Sequence, residues 1–163
     1  MAKDDVFSIE WEGLDEFHDM LDKMEKETEK IIMEEMTAFG MEVEEGAKAL
    51  APHDHGDGLS DSINFDKAKK EGNSIVVRGG SNKPYALRRH EEPYRPGVHD
   101  KYENGRHYPG YYVDGRGQGT RGKESWRGIQ PGRKYLENAI KALEPDYDEM
   151  NARALERILE IDK

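Results

Sequence analysis

Changes in the spacing of hydrophobic positions mark out the elements of this chain. Phe7, Ile9 and Trp11 alternate with Val6, Ser8 and Glu10, a two-residue period that predicts a half-buried strand ended by Gly13. Leu14, Phe17, Leu21, Met24, Ile31, Met36, Phe39, Val43, Ala47 and Leu50 then recur mostly at spacings of three and four, with Glu, Lys and Asp between them. This is the stripe of an amphipathic helix from about Leu14 to Leu50. Such a helix is roughly 54 Å long, more than the expected diameter of a domain of this size. A break is therefore expected near Gly40 or Gly46, each glycine costing about 1 kcal/mol relative to Ala. Pro52 ends the helix.

The segment His53 to Ser60 has turn chemistry. Ile63 and Phe65, followed by the run Ser74 to Arg78, predict two antiparallel strands across a turn at Glu71-Gly72-Asn73. A third strand is expected over Tyr85 to His90, with Pro84 tolerated at its start. Residues 93–132 hold nine Gly and five Tyr with few aliphatic side chains, so they cannot build a core alone. A long mobile loop is expected there, carrying a weak hairpin around Tyr108 to Val113. Lys134 to Leu143 places Tyr135, Leu136, Ala139, Ile140 and Leu143 on one helical face, stopped by Pro145. A last helix from Asp146 carries Met150, Ala154, Leu155, Ile158, Leu159 and Ile161. The expected architecture is α+β in one domain over residues 1–163: a long N-terminal helix packed on a small antiparallel sheet, a Gly/Tyr/Arg-rich loop and C-terminal helices.

Composition narrows the function. Of 163 residues, 34% are hydrophobic and 37% charged, so the core is small and the chain approaches the composition of a disordered one. No apolar run nears the ~18 residues of a membrane span, and the acidic start is unlike a signal peptide, so a cytosolic protein is expected. The absence of Cys excludes disulfides, thiolate metal sites and a cysteine nucleophile. The formal charge of -10 disfavours a simple nucleic-acid binder, but it is unevenly spread. Residues 1–50 hold 16 acids and 5 bases, whereas residues 67–134 hold 16 bases and 7 acids. A basic middle suits contact with DNA, with a neighbouring copy, or with the chain's own helices.

Two His clusters could carry chemistry. His53, His55, Asp54 and Asp57 have the types needed to chelate a divalent cation, but Gly58 stands where a binuclear hydrolase needs another His, and a helix-ending turn accounts for the same residues. His90, Glu91 and Glu92, with His99, Asp100 and His107 beyond, supply acid and base types without a spacing that fixes their geometry. Gly117 to Gly122 lacks both the preceding strand and the Gly-Lys-Ser/Thr ending of a phosphate loop. Arg88, Arg89, Arg95, Lys101, Arg106, Arg116, Arg121 and Arg127 interleave with five Tyr, a composition shared by single-strand nucleic-acid surfaces and by loops that fold against a partner protein.

Three separated segments then define a resemblance. Ala51-Pro-His-Asp-His-Gly-Asp-Gly-Leu-Ser-Asp-Ser-Ile63 resembles the "a-P-h-D-t-G-x-L-x-x-S-i" motif that follows a long helix in tail-completion, neck and minor structural proteins of tailed bacteriophages. Pro84-Tyr-Ala-Leu-Arg-Arg-His-Glu-Glu92 is similar to that family's "pYA-x-x-x-H-E" strand, and Gly132-Arg-Lys-Tyr-Leu-Glu-Asn-Ala-Ile140 to the opening of its C-terminal helix. His55 in place of Thr, the extra Asp57 and the long 93–132 segment depart from the pattern. The resemblance implies a non-enzymatic virion protein without cofactor or metal. It would join head and neck to tail as a ring of copies around the DNA channel, meeting other neck, portal-side and tail proteins after assembly in the host cytoplasm. Motif residues so implied are Pro52, His53, Gly58, Leu59, Ser62 and Ile63 in the turn, and Tyr85, Ala86, His90, Glu91, Tyr135 and Leu136 packing the third strand on the C-terminal helix. Arg88, Arg89, Arg95, Arg106 and Arg116 are the candidates for contact with a neighbour or with DNA. The alternatives are a metal-dependent nuclease or toxin using His53, His55, His90 and Asp57, and a small nucleic-acid-binding module.

Overall fold

The structure, a computed structural model, describes residues 14–53, 58–91, 98–103, 105–112 and 118–161. The strand expected over Val6 to Trp11 lies outside the described residues. The architecture is α+β. Helix α1 runs unbroken from Leu14 to Leu50 over 37 residues, about 55 Å. The break expected at Gly40 or Gly46 is absent because both glycines are buried contact points. A Cβ on Gly40 would lie 2.7 Å from Val77 Cγ1, and one on Gly46 would lie 2.5 Å from the Trp126 ring. Each helix-weakening residue thus allows a neighbour to sit against the helix backbone.

After α1 the chain makes one 3-10 turn, Ser60–Ser62, and four short strands. These are β1 (Ile63–Phe65), β2 (Lys69–Glu71), β3 (Ser74–Val76) and β4 (Gly79–Ser81). The turn expected after Glu71 is present, but it joins β2 to β3. The expected pairing of Ile63 and Phe65 with Ser74 to Arg78 is replaced by β1 against β4, with Phe65 opposite Gly79. A Cβ on Gly79 would lie 2.2 Å from the Phe65 ring, so the aromatic side chain covers a strand that has almost none of its own. Side chains of α1 fix both pairs. Glu44 accepts the Phe65 N–H (2.8 Å), and Thr37 Oγ1 accepts the Ala68 N–H (2.9 Å).

Tyr85 to His90 is not the expected strand: Ala86–Glu91 form a short helix, α2. Residues 93–132 are not one loop either. They contain β5 (Val98–Glu103) and β6 (Arg106–Tyr112), paired antiparallel with an irregularity between His99 and Lys101, and the short α3 (Gln118–Arg121). This hairpin starts earlier and is longer than the one expected at Tyr108 to Val113.

Helix α4 (Tyr135–Ala142) is followed almost directly by α5 (Glu144–Leu159). Pro145 stands in the first turn of α5, where its missing N–H has no helical partner to lose, so it starts this helix as well as bounding α4. Both C-terminal helices pack on α1. Along α5, Tyr147 meets Phe39 edge-on at 5.4 Å, and Arg157 pairs with Glu34 (2.5 Å) and Glu35 (2.9 Å). Since later residues of α5 meet earlier residues of α1, the two run antiparallel. The core lies at the other end of α1, where Ala47, Leu50, Ala51, Leu59, Ile63, Ala86, Tyr135 and Ala139 cluster. Leu143, Met150 and Ala154 extend the buried face as expected, but Ile140 is 49% exposed. Towards its start α1 opens to solvent, and residues 19–23 are all exposed.

Candidate functional site

A helix as long as α1 ends in carbonyl groups without helical partners, and these must be satisfied from elsewhere. Three separate segments reach them. Lys123 Nζ donates to the Ala51 carbonyl (2.7 Å) and the Lys48 carbonyl (3.3 Å). Ser60 Oγ also donates to the Lys48 carbonyl (3.1 Å), and the Gly132 N–H donates to the Leu50 carbonyl (2.9 Å). An ammonium group is well placed at the negative end of a helix, although partial burial lowers the Lys123 pKa. Beside it lies a cleft of about 190 Å³ lined by Pro52, His53, Gly58, Leu59, Ser60, Asp61 and Lys123. The cleft's basic group is turned onto helix carbonyls, where it acts as a cap.

The motif residues gather around this helix end. Pro52, Leu59 and Ile63 are buried, and Gly58 has a left-handed φ of 68° that suits glycine. Ser62 Oγ donates to the Leu59 carbonyl (2.7 Å) and lies 2.6 Å from Ser81 Oγ, which joins the turn to β4. The His53 N–H donates to Oγ1 of the buried Thr120 (2.7 Å), and its ring covers Gly119, where a Cβ would lie 2.2 Å away.

The second and third motif segments meet each other directly, as helix on helix. The buried Tyr135 hydroxyl donates to the Ala86 carbonyl (3.2 Å), and the His90 ring stands edge-on to the Tyr135 ring at 5.0 Å. Tyr85 and Leu136 pack at the edge of the same cluster. Lys134 takes a left-handed φ of 57° just before α4, an uncommon state for a non-glycine residue. It is held there by its N–H on the His90 carbonyl (2.8 Å) and by its ammonium on Glu91 (2.6 Å) and Glu137 (3.4 Å). Lys134, and after it His90, keep the Glu91 carboxyl below its usual pKa.

The candidate contact arginines are only partly described. Arg88 is exposed and Arg89 half-buried on α2, and Arg106 is exposed at the start of β6; Arg95 and Arg116 lie outside the described residues. His55, Asp54 and Asp57 also lie outside them. Among the described residues no group of three or more His, Asp or Glu is placed to hold a metal ion. His53 rests on α3 and His90 on α4, so the two described histidines of the nuclease alternative are engaged with different elements. On β5 and β6, His107 Nε2 lies 3.1 Å from the Asp100 carboxylate, an exposed pair that also accepts the Gly110 N–H at 3.4 Å. No described helix is long and apolar enough to cross a membrane.

Sequence reasoning missed Lys123, Thr120 and Trp126, which tie the segment after β6 to α1. A signal existed for Trp126. A large aromatic in a glycine-rich stretch needs a flat site, and the buried glycines of α1 supply one. Arg127 and Gly128, both at positive φ (48° and 79°), turn the chain between Trp126 and Ile129, which exchange two 2.9 Å backbone bonds. Arg127 is anchored there by a two-pronged pair with Asp146 (2.6 and 2.9 Å).

Residues 15–87 match the model of the HK97-gp10-like family, described as "Bacteriophage HK97-gp10, putative tail-component". The matched span runs from the start of α1 to the first residues of α2 and supports a structural role of the phage tail-component kind, with a place in the virion among other tail proteins. No curated protein and no solved structure matches the chain.

Proposed function

We propose that this chain is a non-enzymatic virion protein, a single domain over residues 1–163, that joins head or neck to tail as one copy in a ring around the DNA channel. The observation that carries the reading is the family match over residues 15–87. Two features of the subunit support it. Helix α1, about 55 Å long, has its core contacts near Leu50 and an exposed run at residues 19–23, and large apolar side chains stand in solvent, among them Met20, Leu21, Leu87, Leu155 and Leu159. Assembly with copies of itself would cover such surface.

The partners in this reading are neighbouring copies and other neck, portal-side and tail proteins. Arg88, Arg89, Arg95, Arg106 and Arg116 are the candidates for contact with a neighbouring copy or with genomic DNA. No cofactor or metal enters. The subunit is made in the host cytoplasm and works at the head–tail interface. Electron microscopy of particles tests this directly. Several symmetry-related copies with density for α1 between head and tail are expected, and particles lacking this chain from that layer would remove the reading.

A further inference from the structure

Counted back from its contact with α5, one side of α1 keeps a strict alternation of four and three residues. Glu35 accepts hydrogen bonds from Arg153 (3.4 Å) and Arg157 (2.9 Å) of α5. Towards the helix start the same alternation picks out Ile31, Thr28, Met24 and Leu21, and the sequence continues it through Phe17 to Leu14. A seven-residue period with apolar side chains at five of these six positions is the seam of a coiled coil, along which a second helix lies. Helix α5 is that second helix for part of the way only. It ends at Leu159, two residues past Arg157, and the stripe runs on from Ile31 to Leu14, about 26 Å of helix. Met20 is 40% and Leu21 43% exposed there, and Met24 and Thr28 are half-buried.

The chemistry around the stripe selects its cover. Away from it, Asp19, Asp22, Lys23, Lys26 and Lys30 are charged and exposed. The two acids at its border already have bases near them. Glu27 lies 3.9 Å from Lys23, and Lys70, which pairs with Glu29, also lies in the field of Glu25. The border therefore does not call for a strongly basic partner. What the stripe lacks is another apolar stripe of the same period, and a second copy offers one that is open over the same length.

The way α5 packs gives the direction. Helix α5 runs antiparallel to α1, and a copy's α1 laid antiparallel on the open stripe continues its line. The carbonyl end of α5 then meets the N–H end of the incoming helix, a favourable arrangement of helix dipoles. In the register that sets Leu21 against Met24 of the copy, position 17 falls opposite position 28. Glu25 and Glu27 then come beside positions 18 and 20 of the copy, a His and a Met, so no two acids meet across the seam.

We infer that the free chain pairs with a second copy through this stripe, the first halves of two α1 helices lying antiparallel with Leu21 of each against Met24 of the other. The contact uses the same surface on both copies, so it closes as a two-fold dimer. It is distinct from the unlike-patch contacts that a ring requires and stands without the ring reading.

The full-length protein provides the test. Sedimentation equilibrium over a concentration series should show monomers and dimers in exchange, and Leu21→Asp should weaken the dimer at least tenfold. Leu21 is exposed, so folding should persist, which circular dichroism verifies. Met41→Asp, at an exposed position elsewhere on α1, should leave association unchanged. The chain has no cysteine of its own, so direction can be read from Leu21→Cys and Met24→Cys in a glutathione redox buffer. An equimolar mixture should form the mixed disulfide in preference to either self-linked dimer. A monomer at every concentration, equal effects of Leu21→Asp and Met41→Asp, or a predominance of self-linked disulfides would overturn the inference. A full chain that is monomeric but dimerises once residues 1–13 are removed would overturn it in favour of cover by that segment.

Discussion

Gly46→Ala sets helix propensity against packing, and the structure decides the outcome. Alanine in a helix interior gains about 1 kcal/mol over glycine. Here the new methyl would lie 2.5, 2.9 and 2.9 Å from three atoms of the Trp126 ring. The indole is a rigid plane, and its backbone is pinned by the bonded turn to Ile129 and by the Arg127–Asp146 pair, so it cannot retreat without moving that turn. Overpacking of this kind costs about 1–3 kcal/mol, and three contacts under 3.0 Å argue for the upper half of that range. The net expectation is a loss of about 1–2 kcal/mol, a fall in Tm of roughly 2–8 °C for a chain of this length. Thermal and urea unfolding measure it, and Trp126 fluorescence in a Trp11→Phe background reports displacement of the ring. In a Trp126→Ala background the clash is gone, and Gly46→Ala should become stabilising by about 1 kcal/mol. The same sign in both backgrounds would refute the argument that Gly46 is there to seat the indole.

Tyr135→Phe removes the buried hydroxyl from the Ala86 carbonyl and should cost about 1 kcal/mol, read as a lower urea midpoint with an unchanged slope. Lys123→Met takes the ammonium from the Ala51 and Lys48 carbonyls; a loss of about 1–2 kcal/mol is expected, with faster hydrogen exchange in the last turn of α1 than in its middle. Acid stability should report Glu44, whose carboxyl is held below its usual 4.5 first by Lys48 and then by the Phe65 N–H. Below that value the unfolded chain takes up a proton that the folded chain still refuses. The stability Glu44 contributes is therefore present above about pH 4.5 and lost as pH falls through the depressed value. Glu44→Gln should lower Tm at pH 7 and lessen its decline between pH 5 and 3; a parallel decline in both proteins would count against this assignment.

The parts of the fold that could be read from sequence are those whose side chains alternate in and out of a core. The α1 stripe ran from Leu14 to Leu50 in the pattern and does so in the structure, and α4 and α5 followed from Tyr135, Ala139, Met150 and Ala154. Strand β4 could not be read, because Gly79-Gly80-Ser81 has no pattern and is held by its pairing with β1, by Ser62 and by the Phe65 ring laid over it. Ala86 to Glu91 was too short for helical period to separate from strand alternation, and its backbone is settled by Tyr135 from 49 residues away. The glycines of α1 were read for their propensity when their contacts decide. Of the site, the three motif segments were legible but the polar clasp was not, since nothing local to Lys123 or Thr120 reveals which helix end each will reach.

That clasp has a practical corollary for anyone trimming the chain. The family-matched stretch ends at residue 87, yet Lys123 and Gly132 supply hydrogen bonds to the final carbonyls of α1, and Tyr135 and Ala139 fill the space around Leu50. A fragment stopped after Glu91 would uncover one side of that leucine and take the Lys123 and Gly132 donors from the Ala51 and Leu50 carbonyls. The matched stretch is therefore not an excisable module, and its expression alone should yield aggregate rather than a smaller working subunit.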